Sequence, residues 1–220
     1  MNIEAIEFAE NPEPRCPCVL LLDTSGSMQG DRIAALNAGL MTFKESLMRD
    51  NLAQKRVDVS VITFDSQVKI VSDFVTADSF EPPTLTAQGL TFTGSGIDLA
   101  LDALNRRKTS YRNNGITYYR PWVFMITDGE PCGENESIIR LAAQKVQAQE
   151  AGKKVAFFTV GVEGANIQQL STLFPLRAPI MLKGLSFQEM FEWLSASMSR
   201  VSQSRPNEQV ALAPPGWGIV

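Results

Sequence analysis

The chain contains no histidine. That absence removes the commonest general base near neutral pH and the commonest transition-metal ligand. A Ser-His-Asp hydrolase and a histidine-ligated zinc enzyme are excluded. Cysteine is scarce, with only Cys16, Cys18 and Cys132 in 220 residues. Three thiols do not make a disulfide framework, and no second pair or histidine completes a zinc site around Cys16 and Cys18. All three are read as reduced structural thiols. No run of about 18 apolar residues occurs, so no membrane-spanning helix is expected. The opening MNIEAIEFAENPEPR is acidic and lacks a basic region followed by an apolar one. A secretory leader is therefore not expected, and the localisation is read as cytoplasmic. The formal charge is −4 with the basic residues dispersed, which gives nucleic-acid binding no support. One compact basic run, Arg106-Arg107-Lys108, reads as the surface end of a helix, where cations are favoured.

What is present is an alternation of apolar strands and amphipathic helices. Residues 1–16 are polar, acidic and proline-containing and read as an arm. Val19-Leu20-Leu21-Leu22 is a continuous apolar run ending at Asp23, as in a central strand covered on both faces. Asp31 is placed as the N-cap of a helix striped by Ile33, Leu36, Leu40, Phe43 and Leu47. Residues 57–64 and 68–75 alternate and are separated by the polar Asp65-Ser66-Gln67, which predicts a hairpin. Residues 76–96, rich in threonine, glycine and proline, read as loop. Ile97, Ala100, Leu101 and Leu104 mark the next helix. Trp122 to Thr127 is a second apolar strand, ending at Asp128. A helix over 135–151 capped by Gly152, a strand over 155–160, a short helix over 167–174, a weak strand over 178–182 and a helix striped by Phe187, Met190, Phe191, Leu194 and Met198 follow. The pattern predicts one domain over 17–203, of α/β class, with a mostly parallel sheet, helices on both faces and one antiparallel edge strand. Residues 204–220 form a proline-rich tail. It either folds back on the domain or docks elsewhere, with Trp217 as anchor. Trp193 lies beside the stripe of the last helix and either caps the core or faces a partner.

Chemistry gathers at the strand ends. Asp23, Ser25 and Ser27 are two residues apart directly after the first apolar strand, so in an extended segment one carboxylate and two hydroxyls converge. Gly26 lets the backbone turn between the serines. All-oxygen donors suit a hard cation, Mg²⁺ first, with Mn²⁺ or Ca²⁺ as alternatives. Three donors leave an octahedral shell of about six incomplete. Two other segments offer more: Thr91, in the loop Gly89-Leu90-Thr91-Phe92-Thr93-Gly94, and Asp128, at the end of the second apolar strand. Ligand sites of open α/β sheets lie at the carboxyl ends of strands where the order reverses.

These motifs resemble the von Willebrand factor A superfamily. Its metal-ion-dependent adhesion site reads Asp-x-Ser-x-Ser, then Thr, then Asp, matching Asp23, Ser25, Ser27, Thr91 and Asp128. The stretches NPEPRCPCVLLLDTSGSM, TLTAQGLTFTGSGIDLALDAL and VFMITDGEP are similar, more narrowly, to the bacterial TerY-like, tellurite-resistance-associated group. The resemblance implies a three-layer Rossmann-like fold with a six-stranded sheet of order 3-2-1-4-5-6. It further implies direct metal ligation by Ser25 and Ser27, with Asp23, Thr91 and Asp128 binding directly or through water. Leu90 stands where the group often has a second glycine, which makes Thr93 the alternative to Thr91. The implied function is a non-enzymatic protein-binding module. Its cation grips an Asp or Glu carboxylate of a partner, a companion kinase or phosphatase of a tellurite-resistance or stress-response system being the candidate. Two other readings fail on single residues. A haloacid-dehalogenase-type aspartyl phosphotransferase needs a second Asp two residues after its nucleophile, where this chain has Ser25. A phosphate-binding loop around Gly89 and Gly94 lacks its lysine, having Ser95-Gly96 instead.

Overall fold

The computed structural model describes residues 3–206 and 208–219. In chain order the elements are α1 (Ile3–Glu10), β1 (Cys16–Asp23), a 3-10 turn (Gly26–Met28), α2 (Asp31–Met48), α3 (Ala53–Arg56), β2 (Val57–Phe64), β3 (Val68–Thr76), α4 (Thr93–Asn113), β4 (Trp122–Thr127), α5 (Glu136–Ala151), β5 (Ala156–Gly161), α6 (Ile167–Leu173), β6 (Ile180–Leu182), α7 (Phe187–Gln203) and β7 (Gly218–Ile219). The sheet order is β3-β2-β1-β4-β5-β6-β7. The expected order of the first six strands is present, and β2 pairs antiparallel with β3 as the hairpin reading required. The tail adds a seventh strand, antiparallel to β6, so the sheet has a second antiparallel edge.

Strand β1 is buried along its whole length, which is why its sequence is continuously apolar rather than alternating. Cys16, Cys18, Leu20 and Leu22 face one core, with Leu36, Leu40 and Phe43 of α2 and Phe187, Met190 and Leu194 of α7. Val19 and Leu21 face the other, with Ile97, Leu101 and Leu104 of α4, Val146 of α5 and Leu170 of α6. The three layers follow from the period-2 side-chain alternation of the strands meeting helical stripes on both faces. Helices α2 and α7 pack so closely that a β-carbon added at Gly39 would stand 2.5 Å from a ring carbon of Phe191.

Four local expectations change. Asp31 is the first helical residue of α2 and not its cap, because Gly30, with φ of 79°, makes the turn into the helix. Asp31 instead places a negative charge in the first turn, where the helix dipole favours it. Helix α4 starts at Thr93, inside the segment read as loop, and continues to Asn113. The basic run therefore lies mid-helix. Arg107 and Lys108 are buried, and Arg107 forms ion pairs with Asp58 of β2 at 2.8 Å and Glu7 of α1 at 2.5 Å. The segment read as an arm carries α1, whose Phe8 packs on Tyr111 and lies under the guanidinium groups of Arg15 and Arg107.

The tail folds back. Trp217 is buried and meets Phe124 and Trp193 at ring-centroid distances of 6.4 and 5.7 Å. Trp193 also meets Phe158 edge-on, and its indole Nε1 donates to the carbonyl of Ala213 in the tail at 2.8 Å. It thus caps the core and clamps the tail together. Replacing Trp217 by alanine removes the anchor and should cost about 3 kcal/mol of stability. Urea denaturation measures it, and a loss below about 0.5 kcal/mol would show that the tail does not hold the fold.

The thiols divide by environment. Cys16 and Cys18 lie wholly buried in β1, and burial pushes both thiols well above their ordinary range. Cys132 is free and exposed. Because the thiolate is the reacting form, Ellman's reagent at neutral pH should label one thiol per native chain and three after unfolding. Rapid labelling of more than one native thiol would contradict the packing of β1.

Candidate metal centre

In the sheet, β1 lies between β2 and β4. The chain leaves β1 toward β2 on one side and later returns to β4 on the other, so the strand order reverses between β1 and β4. The carboxyl ends of these two strands are where Asp23 and Asp128 sit, and the crevice at such a reversal is the usual ligand position in open α/β sheets.

The side chains meet through a short chain of hydrogen bonds. Asp23 Oδ1 accepts from the backbone N–H of Ser25 at 2.8 Å, and its Oδ2 accepts from the Thr127 hydroxyl at 2.6 Å. The Ser25 and Ser27 hydroxyls are 3.1 Å apart. Ser27 Oγ donates to Asp128 Oδ1 at 2.6 Å. Thr91 comes in from the loop before α4. Its backbone forms an antiparallel bridge with Cys132, and its hydroxyl lies 3.7 Å from the Cys132 sulfur. Thr91 Oγ1 and Ser27 Oγ are each 3.6 Å from the point a β-carbon on Gly129 would occupy. The geometry thus brings Asp23, Ser25, Ser27, Thr91 and Asp128 to one place from three distant segments. Thr93, the alternative to Thr91, is the first residue of α4, and its hydroxyl is buried without a hydrogen-bond partner.

The backbone is shaped for this approach. The N–H of Gly26 donates to the carbonyl of Gly89 at 3.0 Å, and a β-carbon on Gly26 would stand 3.3 Å from that oxygen. Gly89 has φ of 76°, a left-handed conformation that glycine adopts without strain. Glu134 accepts from the N–H groups of Gly94 and Ser95 at 2.7 and 2.9 Å and from the Ser95 hydroxyl. It ties the loop after β4 to the start of α4, where a negative charge meets the positive end of the helix. These ties hold the loops of Thr91 and Asp128 together.

The electrostatics favour a cation. Asp23 and Asp128 are both buried. Burial pushes the Asp23 carboxyl up to about 6, against hydrogen bonds from Ser25 and Thr127 that favour its charged form, and the nearby Asp128 charge raises it further. A positive charge stabilises two buried carboxylates that share one site. The donor set of hydroxyls and carboxylates fits a hard divalent ion. Among the described residues no three of His, Cys, Asp and Glu cluster as metal ligands. A positive group does stand here: Arg32 Nη1 of α2 donates to Asp128 Oδ2 at 2.5 Å and to the carbonyl of Ser27 at 2.9 Å.

Thr127 and Arg32 are the contributors that the motif reading missed. Thr127 had a signal, being the sole hydroxyl residue in the apolar run of β4. Arg32 had none beyond its position one residue into a helix that follows the serine loop. A cavity of about 640 Å³ lies elsewhere, at the amino ends of β4 and β5, lined by Trp122, Phe158, Arg120, Arg177 and tail residues. None of the five oxygen donors lines it, and its arginines turn to Glu150.

Fold and site together define an open, doubly wound α/β domain that collects hydroxyl and carboxylate oxygens at its topological switch point. The chain belongs to the von Willebrand factor type A domain family, whose model matches residues 18–179. A search of curated proteins by sequence finds no match. Among solved structures, a von Willebrand factor type A protein from Catenulispora acidiphila is similar at 15% identity and TM-score 0.64, covering 86% of this chain and 43% of that one. The pilus adhesin SpaC from Lactobacillus rhamnosus GG, in its open conformation, is similar at 17% identity and TM-score 0.67, over 86% of this chain and 30% of that one. The vWF domain of the type V pili tip protein Mfa5 from Porphyromonas gingivalis is similar at 12% identity and TM-score 0.58, over 87% of this chain and 95% of that one. The chain therefore spans less than half the length of the first two structures and nearly all of the third, and at these identities the likeness is one of fold. Among the described residues no helix is long and apolar enough to cross a membrane.

Proposed function

We propose that this domain is a non-enzymatic protein-binding module. In this reading Asp23, Ser25, Ser27, Thr91 and Asp128 hold one divalent cation, Mg²⁺ in the first place, which grips an Asp or Glu carboxylate of a partner. The observation that carries the reading is the convergence of those five side chains on the switch point, with two buried carboxylates that call for a positive charge. With hydroxyls as much of the donor set, a bound ion keeps its Lewis acidity, and a partner carboxylate is a matching hard ligand. Ser25 and Ser27 would ligate directly, and Asp23 and Asp128 would act directly or through water.

A binding role also fits Asp23 better than a nucleophilic one. Both of its oxygens already accept short hydrogen bonds inside the protein, and Ser25 stands where an aspartyl phosphotransferase has its proton donor. The similarity of the motif stretches to the TerY-like group supports a setting in a cytoplasmic tellurite-resistance or stress-response system, with a companion kinase or phosphatase as the partner that supplies the acid.

The test is capture of such a partner by the immobilised full chain, in Mg²⁺ and in EDTA, for the wild type and Ser25→Ala. Retention is expected only for the wild type in Mg²⁺. Equal retention in all four conditions would rule out the cation-bridged contact.

A further inference from the structure

The two oxygens of Asp128 are used differently. Oδ1 accepts the Ser27 hydroxyl. Oδ2 accepts Arg32 Nη1 at 2.5 Å, and the same nitrogen donates to the Ser27 carbonyl at 2.9 Å. The Asp128 side chain is completely buried, whereas the Arg32 side chain is 30% exposed. Oδ2 is thus the Asp128 oxygen not committed to the serine loop, and it is covered by a cation whose own side chain reaches solvent.

We infer that Arg32 is a resident counter-cation that competes with the divalent ion for Asp128. This rests on the metal reading above. With no ion bound, the guanidinium would neutralise a buried carboxylate and tie α2 to the serine loop, which would keep the site assembled. A divalent ion that engages Oδ2, directly or through its water, meets the guanidinium there. Two positive groups on one buried carboxylate oxygen repel each other. Loading the ion then requires the Arg32 head group to swing outward, which its partial exposure permits and the burial of Asp128 denies to the carboxylate. Arg32 is in this sense a positioning residue that sets metal affinity. Its presence makes the site weaker for metal and more ordered without it.

The experiment is Mn²⁺ titration by calorimetry of chelator-treated wild type, Arg32→Ala and Arg32→Lys, with thermal melting of each in EDTA and in saturating Mn²⁺. Arg32→Ala is expected to bind Mn²⁺ about tenfold more tightly, because the competitor is gone, and to melt lower than wild type in EDTA but not in Mn²⁺. Arg32→Lys should fall between, since one ammonium reproduces the charge but not the planar donor geometry. A merely structural role predicts the opposite sign, weaker Mn²⁺ binding in Arg32→Ala. Equal or weaker binding by Arg32→Ala beside a wild type that binds overturns this inference alone. Failure of all three proteins to bind Mn²⁺ overturns the metal reading and the inference with it.

Discussion

Replacing Arg107 by alanine should lower the unfolding free energy by about 4 kcal/mol. Arg107 is 7% exposed in the middle of α4, while Asp58 is fully buried in β2. The guanidinium Nε donates to Asp58 Oδ2 at 2.8 Å, Nη2 pairs with Glu7 of α1, and the Tyr111 hydroxyl donates to the same Asp58 oxygen. Burial alone would lower the Arg107 pKa, yet Asp58, Tyr111 and Glu7 together raise it well above its ordinary range, so the guanidinium stays charged inside the fold. Burial, then the Asp58 charge, push the Tyr111 hydroxyl up as well, which keeps it a neutral donor. Removing the cation leaves a buried carboxylate with only Tyr111 to satisfy Oδ2, and Oδ1 already lacks a hydrogen-bond partner. The large cost comes from that stranded charge rather than from the pair's net worth. The double variant Asp58→Leu with Arg107→Met, which removes both charges, should therefore recover most of the loss. Urea denaturation of the three proteins checks both numbers. A cost below about 1 kcal/mol for Arg107→Ala, or a double variant no more stable than the single one, would show that the network is solvated in solution.

The second large effect concerns the site. Ser25→Ala should weaken divalent-cation binding about 100-fold or more while leaving the fold intact. Even outer-sphere partners of a metal ligand are worth roughly 10–100-fold, and Ser25 is proposed to touch the ion itself. The hydroxyl removed is small, it meets the Ser27 hydroxyl and the Asp23 carboxylate, and the backbone N–H that also braces Asp23 is kept. The unfolding midpoint in EDTA should therefore stay within a few degrees of wild type. If the hydroxyl serves only as a turn former, the outcome reverses: metal binding persists and the midpoint falls.

Much of this architecture was legible in the sequence because each local pattern agreed with the others. The unbroken apolar runs ending at Asp23 and Asp128 identified strands covered on both faces. Glycine and polar breaks separated the elements, and three short motifs marked the strand ends where the site assembles. The misreadings share a physical cause. Arg106-Arg107-Lys108 reads as a solvated helix end because the sequence cannot show that Asp58, forty-nine residues earlier, lies opposite Arg107. Asp58 in turn looks like an outward position in an alternating strand, yet α4 covers that face. Helix α1 is hidden in an acidic, proline-flanked segment, and its place depends on Glu7 and Phe8 meeting Arg107 and Tyr111. The strand β7 is two residues long, too short for any periodicity, and is set by Trp217 entering the core. Arg32 was invisible for the same reason as Arg107: a lone cation gains meaning only from the carboxylate that the fold brings to it.

The central claim is that five oxygen-bearing side chains form one cation site at the ends of β1 and β4. Electron paramagnetic resonance of Mn²⁺ added to the chelator-treated protein tests it most directly. The account predicts loss of the free-ion signal up to one Mn²⁺ per chain, recovery on adding excess Mg²⁺, and no such loss with Asp128→Ala. A free-ion signal that rises in proportion to added Mn²⁺ from the first aliquot, as in buffer alone, would contradict it.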